Sequence, residues 1–181
     1  RTLHHFRRQD VGQDHRGAGL QGLADECPPV GQWDKACPIF DDGRIGDPAL
    51  AHHCEVLREL HQRDRHHPCV IAWSVANEPA SWEPACRPYF EQVVATMREL
   101  DPVRPVMLVL HQDPTANQIA DLCDLLGLNR YMGWYEDPGE LEVIEGTLEH
   151  DLRAWHERFG KPIVVTEYGA DTIAGFHQDP P

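Results

Sequence analysis

Pro68-Cys69-Val70-Ile71-Ala72-Trp73-Ser74-Val75-Ala76-Asn77-Glu78-Pro79 is the segment from which the architecture unfolds. Its first eight residues form a short apolar run, the form of a strand buried on both faces of a sheet. Its last four end that run with an amide, a carboxyl and a proline. Upstream, Asp47-Pro48 reads as an N-cap followed by proline at the first helical position. Leu50, Cys54, Leu57 and Leu60 or His61 then recur at helical spacing to about Arg65.

The pattern repeats downstream. Helix signals return at Arg87-Pro88, with Phe90, Val93, Val94, Met97 and Leu100 on one face, and Asp101-Pro102 stops the helix. Pro105-Val106-Met107-Leu108-Val109-Leu110 is a second apolar run. Ala116, Ile119, Ala120 and Leu122 suggest a brief helix, and Cys123 to Asn129 a third strand. Leu141, Ile144, Leu148, Leu152, Trp155 and Phe159 make the clearest helical stripe, which Gly160-Lys161-Pro162 ends with a glycine cap and a proline. Ile163-Val164-Val165-Thr166 is a fourth buried strand. Strands alternating with helices mean an α/β fold with a parallel sheet covered by helices. An open doubly wound sheet and an eight-stranded barrel both fit. No glycine-rich dinucleotide or phosphate-loop fingerprint follows any strand.

Composition bounds the rest. The chain has 181 residues, 41% apolar and 25% charged, which suits one globular domain or part of one. The net charge of −14 argues against a nucleic-acid or anionic-membrane partner, since both need a basic face. Cys27, Cys37, Cys54, Cys69, Cys86 and Cys123 are widely spaced and read as reduced thiols. His4-His5, His52-His53 and His66-His67 are adjacent pairs, which diverge on a helix, so no metal site and no cofactor is expected. Residues 1–22 carry little apolar content and are expected to be irregular, with the alternating α/β domain over 23–181. Asp25-Glu26 reads as a charged turn, or else as an earlier strand edge. The chain starts without Met or an apolar leader, which suggests a fragment and, with no signal peptide visible, a cytoplasmic location.

In parallel α/β folds the reactive groups sit at the carboxyl edge of the sheet. The four runs lead into Ala76-Asn77-Glu78-Pro79, His111-Gln112-Asp113, Asn129-Arg130-Tyr131-Met132-Gly133-Trp134-Tyr135 and Glu167-Tyr168-Gly169. Two glutamates at strand ends suit glycoside hydrolysis, which needs one carboxylic acid for the leaving oxygen and one carboxylate at the anomeric carbon. Arg130 and the amides would read hydroxyls or a carboxylate. Tyr131, Trp134 and Tyr135 would stack on a sugar, or else cap the rim. A barrel uses roughly 31 residues per strand–helix unit. Glu78 and Glu167 stand about three such units apart, which brings their edges across a barrel mouth.

These motifs resemble glycoside hydrolase family 2, and within it the β-glucuronidases. Trp73-Ser74-Val75-Ala76-Asn77-Glu78-Pro79-Ala80-Ser81 is similar to the family's acid/base segment, and Asn129 to Tyr135 to its tyrosine-bearing loop. Thr166-Glu167-Tyr168-Gly169-Ala170-Asp171-Thr172-Ile173-Ala174-Gly175-Phe176-His177-Gln178-Asp179-Pro180-Pro181 resembles its nucleophile segment and is the most specific of the three. Arg63 to Pro68, Leu100 to Pro105 and Asp25 to Gly31 share its look. The resemblance is continuous over about residues 48–181, whereas residues 1–22 do not resemble the preceding barrel segment. It implies a partial (β/α)₈ barrel, strands about 3 to 7. It implies Glu78 as general acid/base and Glu167 as nucleophile of a retaining hydrolase acting on a small-molecule β-D-glucuronide. Asn77 would bond the sugar 2-hydroxyl and Tyr131 would support the nucleophile. The family's Asn-x-Lys carboxylate reader would lie beyond Pro181, and a homo-oligomer is open for the complete protein. A partial barrel is expected to be weakly active or inactive. Another family 2 activity, such as β-galactosidase, or a non-catalytic remnant are the rival readings.

Overall fold

The computed structural model describes Phe40 and residues 45–170. The expectations for residues 1–22, Asp25-Glu26, Cys27, Cys37 and the segment after Ala170 lie outside the described residues. Seven elements follow in order: α1 (Asp47–Asp64), β1 (Trp73–Asn77), α2 (Cys86–Leu100), β2 (Val106–Leu110), β3 (Leu125–Arg130), α3 (Leu141–Phe159) and β4 (Ile163–Tyr168). The strands form one parallel sheet in the order β1-β2-β3-β4. Each strand neighbours its successor in the chain, with no reversal of direction. That is how a barrel wall is laid, whereas a doubly wound sheet reverses at a switch point.

Each element forms for a local reason. In α1 the cap is Gly46, so Asp47 belongs to the first turn, where its carboxylate faces the positive end of the helix dipole. Helix α1 buries Cys54 and Leu57, and also His53. Nε2 of His53 lies 2.9 Å from the Val75 carbonyl and Nδ1 lies 2.9 Å from the Tyr89 hydroxyl. A carbonyl only accepts, so Nε2 carries the proton and Nδ1 accepts from Tyr89. Burial pushes this imidazole down from 6.5 to about 4, which keeps it neutral.

Strand β1 begins at Trp73, later than the apolar run suggests. Its ladder starts at the Trp73↔Val106 pair, and Pro68 to Ala72 have no rung to bond to. Ile71 is accordingly exposed. Helix α2 buries Cys86, Phe90, Val93, Val94 and Met97 at steps of three and four. Asp101 ends it in extended backbone. One Asp101 oxygen takes the Trp73 indole N–H at 2.9 Å and Arg104 at 2.7 Å. The other takes the amides of Val103 and Arg104. Burial alone would raise this carboxyl, but those four donors hold it well below the usual carboxylate range.

The brief helix expected around Ala116 to Leu122 does not form. Turns occupy this stretch, because Asn117 accepts from the amides of Ile119 and Ala120 and donates to Ser81. A side chain that bonds its neighbours' amides competes with a helix for them. Strand β3 starts at Leu125 because Asp124 is used at the strand entrance, bonding both polar backbone groups of Val106.

Helix α3 ends as expected at Gly160, whose φ of +64° is left-handed. Its stripe is only part-buried: Trp155 is fully buried, Leu141 is exposed, and the rest lie between. Strand β4 is likewise half-open, with Val164 exposed. Among the described residues it has a partner on the β3 side alone, so the two-sided burial expected of it is not seen. The core runs between β1 to β3 and the helices, through Leu57, Phe90, Met97, Leu108, Leu126 and Trp155. Cys54, Cys69, Cys86 and Cys123 are in no disulfide. No helix among the described residues is long and apolar enough to cross a membrane.

Candidate active site

The carboxyl edge of the sheet gathers the chemistry-bearing side chains. Glu78 follows β1 directly, and its amide still donates to the Val109 carbonyl at 2.9 Å. Its φ of +48° is left-handed, a conformation that costs a non-glycine residue about 1 kcal/mol. Glu167 lies within β4, paired with Asn129. Both glutamates follow a register shift. In β1 the pairing slips between Ser74 and Asn77, and opposite β4 it slips between Leu128 and Asn129. An irregularity of this kind re-aims the side chains at a strand end. Thr166 and Glu167 thereby both reach residues of the β3 edge.

Asn129 is the hub. Its Nδ2 donates to Glu78 Oε1 at 2.6 Å and to Asn77 Oδ1 at 3.2 Å. Its Oδ1 accepts from the Thr166 hydroxyl at 2.6 Å. Tyr131 donates its hydroxyl to Glu167 Oε2. Behind it, Tyr131 and Tyr135 meet edge to face at 5.3 Å, and Trp134 and Tyr135 at 6.3 Å. Tyr135 is exposed and Trp134 part-buried, so this aromatic cluster stands at the rim.

The electrostatics separate the two glutamates. Burial raises Glu78, the hydrogen bond from Asn129 opposes it, and the Glu167 charge raises it further. The net direction is upward. The Tyr131 hydroxyl is pushed far up by burial and by its bond to Glu167, which keeps it a donor. Two carboxyls that feel one another, one held toward its neutral form and one accepting a phenol proton, are equipped for proton donation and nucleophilic attack.

Not every expected residue joins them. Successive side chains of a strand face opposite ways. Asn129 faces Glu78, so its neighbour Arg130 faces the helix layer. The Arg130 Nε lies 2.5 Å from Asp151 Oδ2 of α3, and the guanidinium sits over the Trp155 ring. It also donates to the carbonyls of Leu110, Gln112 and Asn129. Its donors thus meet protein acceptors, where the sequence reading placed it on substrate. Thr166 and His111 received no role in that reading, and Asn129 entered it only as one of the edge amides that would read substrate. The period-two rule applied to Asn129-Arg130 was the signal available for Asn129. The histidine pair that lies in α1 diverges, with His52 exposed and His53 buried. Among the described residues no group of three or more His, Cys, Asp or Glu could hold a metal ion.

Comparison with known proteins bears on the family and the fold. Residues 30–181 match the family described as "Glycosyl hydrolases family 2, TIM barrel domain". The chain is similar to the β-glucuronidase of Felis catus, 47% identical over 181 residues, which is 100% of this chain and 27% of that protein. It is 46% identical over 143 residues to the β-glucuronidase of Paenibacillus borealis, covering 79% of this chain and 24% of the relative. Among solved structures it resembles the β-D-glucuronidase of Dictyoglomus thermophilum, with TM-score 0.76 and 45% identity over 84% of this chain and 26% of that one. It also resembles the Ruminococcus gnavus β-glucuronidase in complex with uronic isofagomine, with TM-score 0.65 and 35% identity over 74% and 24%. The chain spans about a quarter of the length of these relatives. By sequence and by the path of its sheet, the chain belongs to glycosyl hydrolase family 2 and forms part of its TIM-barrel domain.

Proposed function

We propose that this chain carries the catalytic pair of a retaining β-glucuronidase, with Glu78 as general acid/base and Glu167 as nucleophile. The observation that carries the reading is the division of labour at the sheet edge. Glu78 is held toward its protonated form while Glu167 accepts a hydrogen bond from Tyr131. The similarity to β-glucuronidases supports the choice of substrate.

In the first step Glu78 gives its proton to the glycosidic oxygen as a Glu167 oxygen attacks the anomeric carbon. The bond to the aglycone breaks, the aglycone leaves as an alcohol, and the sugar is bound covalently to Glu167. Tyr131 occupies Oε2, which leaves Oε1 as the attacking atom. In the second step the Glu78 carboxylate takes a proton from water, whose oxygen displaces Glu167 from the anomeric carbon. Both glutamates return to their starting states. Asn77, bonded to Asn129 and otherwise exposed, serves the sugar 2-hydroxyl. Trp134 and Tyr135 form a rim platform for an apolar sugar face or aglycone. Arg130 holds the β3 edge in place.

Hydrolysis of nitrophenyl β-glucuronide and nitrophenyl β-galactoside by a complete barrel that carries this chain, beside its E167Q variant, tests the reading, because a partial barrel is expected to be weakly active or inactive. Preference for the glucuronide, lost in E167Q, is the expected result. Preference for the galactoside, or activity that survives E167Q, overturns it.

A further inference from the structure

His111 is the first residue after β2, at the edge between the one that carries Glu78 and the one that carries Asn129. It stands edge-on to the Trp82 ring, with centroids 6.1 Å apart and planes at 87°. Its Nδ1 lies 4.0 Å from Glu78 Oε2. Its Nε2 is in contact with the amide nitrogen of Gln112. An amide NH₂ only donates, so this ring nitrogen is the acceptor and the proton of a neutral ring sits on Nδ1. That N–H faces Glu78.

The two Glu78 oxygens are therefore in different surroundings. Oε1 accepts from Asn129 at 2.6 Å. Oε2 is left to carry the acid proton, and it faces a second donor. Two donors cannot point their protons at each other. The Oε2 proton must turn away from His111, which leaves it available to a glycosidic oxygen. Once Glu78 ionises, the same Nδ1–H has only a short distance to close to become a hydrogen bond to the carboxylate.

We propose that His111 is a positioning residue for Glu78: its Nδ1–H aims the acid proton in the first half-reaction and steadies the carboxylate in the second. The inference rests on the reading of Glu78 as acid/base. A neutral ring suits the task. A cation here would draw the proton off Glu78 before substrate arrived, and burial together with the nearby Arg130 charge keeps His111 neutral down to about pH 4. The other charged or titratable groups acting on Glu78 are Glu167 of β4, which raises it, and Arg130 of β3, which lowers it. Arg130 is in turn paired with Asp151 of α3. Tyr131, which feels the charges of both glutamates and of Tyr135, also stands at this edge.

The test is a titration that needs no turnover. With ¹³C-labelled glutamate side chains in the chain, E78Q identifies the Glu78 signal, and its midpoint is followed in wild type, H111F and H111K. H111K puts a cation beside the carboxyl and should lower the midpoint by about 1 unit or more. H111F keeps the ring but removes the donor, and should raise it. A cation lowers a nearby carboxyl whatever stood there before, so the H111K shift shows only that position 111 reaches Glu78, and the H111F shift decides. A Glu78 midpoint in H111F within about 0.2 units of wild type, or below it, overturns the proposal. Glucuronide hydrolysis by wild type and E78Q is measured in parallel. Unchanged activity in E78Q defeats the acid/base reading alone, whereas a flat titration beside an inactive E78Q defeats the role of His111 alone.

Discussion

The side-chain amide of Asn129 donates to Glu78 Oε1 at 2.6 Å across the whole width of β2, joining the first and third strands of the sheet at the reacting edge. The bond does two things. It orients the carboxyl, and it lowers the proton affinity that burial has raised. Neither partner could do this from its own strand.

Replacing Asn129 by Ala should therefore act on rate and on pH together. Loss of a hydrogen bond to a charged or charging group costs about 1.5–3 kcal/mol, or roughly 10- to 100-fold in kcat/KM. Because the bond lowers Glu78, its removal should move the alkaline limb of the profile to higher pH. A pH series with nitrophenyl glucuronide checks both, and an unmoved limb would separate Asn129 from Glu78.

Tyr131→Phe removes one donor from Glu167 and leaves the aromatic cluster standing. A fixed donor on a reacting carboxylate is worth about 10²–10³ in kcat. We expect a fall of that size with an unchanged melting temperature. A kcat near that of wild type would take Tyr131 out of the reaction.

Arg130→Met should act on the fold. Breaking a buried ion pair by removing one partner costs about 3–5 kcal/mol, here because Asp151 and three carbonyls lose their donor. Chemical denaturation should show that loss. A variant of wild-type stability whose KM alone rises would return Arg130 to the substrate, where the sequence reading had it.

Stability should also depend on His53. Its folded pKa, about 4, is below the ordinary 6.5, so the unfolded chain binds its proton first. The contribution is intact above about pH 6.5, declines as pH falls from there, and is lost by about pH 4. His111 is lowered to a similar value and adds to the same window. The shift at His53 corresponds to about 3 kcal/mol at most. Denaturant midpoints between pH 7 and pH 4 should fall in wild type and fall less steeply in H53Q, even though H53Q starts lower. Equal slopes would show that His53 is not the titrating group.

Much of this was legible in the chain. Four apolar runs, each followed by a polar edge, announced a parallel sheet, and all four strands form with starts within a few residues of those runs. The spacing of Glu78 and Glu167 by three units matches the three steps from β1 to β4. The stops at Asp101 and Gly160 stand where they were expected. Three things escaped. The 116–122 stretch has helical spacing, but Asn117 spends its side chain on local amides and on Ser81. The run at Pro68 to Ala72 is as apolar as a strand, yet the neighbouring strand begins too late to pair with it. The stripe of α3 and strand β4 read as buried, but burial depends on what packs against an element and not on its own residues.

What the sequence determined by itself was periodicity and order: which segments are strands, which are helices, and which residues end each strand. Those follow from side-chain spacing and backbone propensity, and both are local. What only the tertiary structure decided was direction. Asn129 and Arg130 are the two polar residues that end an otherwise apolar strand, and either could have served the site. The register of β3 against β2 and β4 turned Asn129 to Glu78 and Arg130 to Asp151. The slips before Glu78 and Glu167 set the aim of the two glutamates in the same way. Register is a property of paired strands, so no single segment contains it.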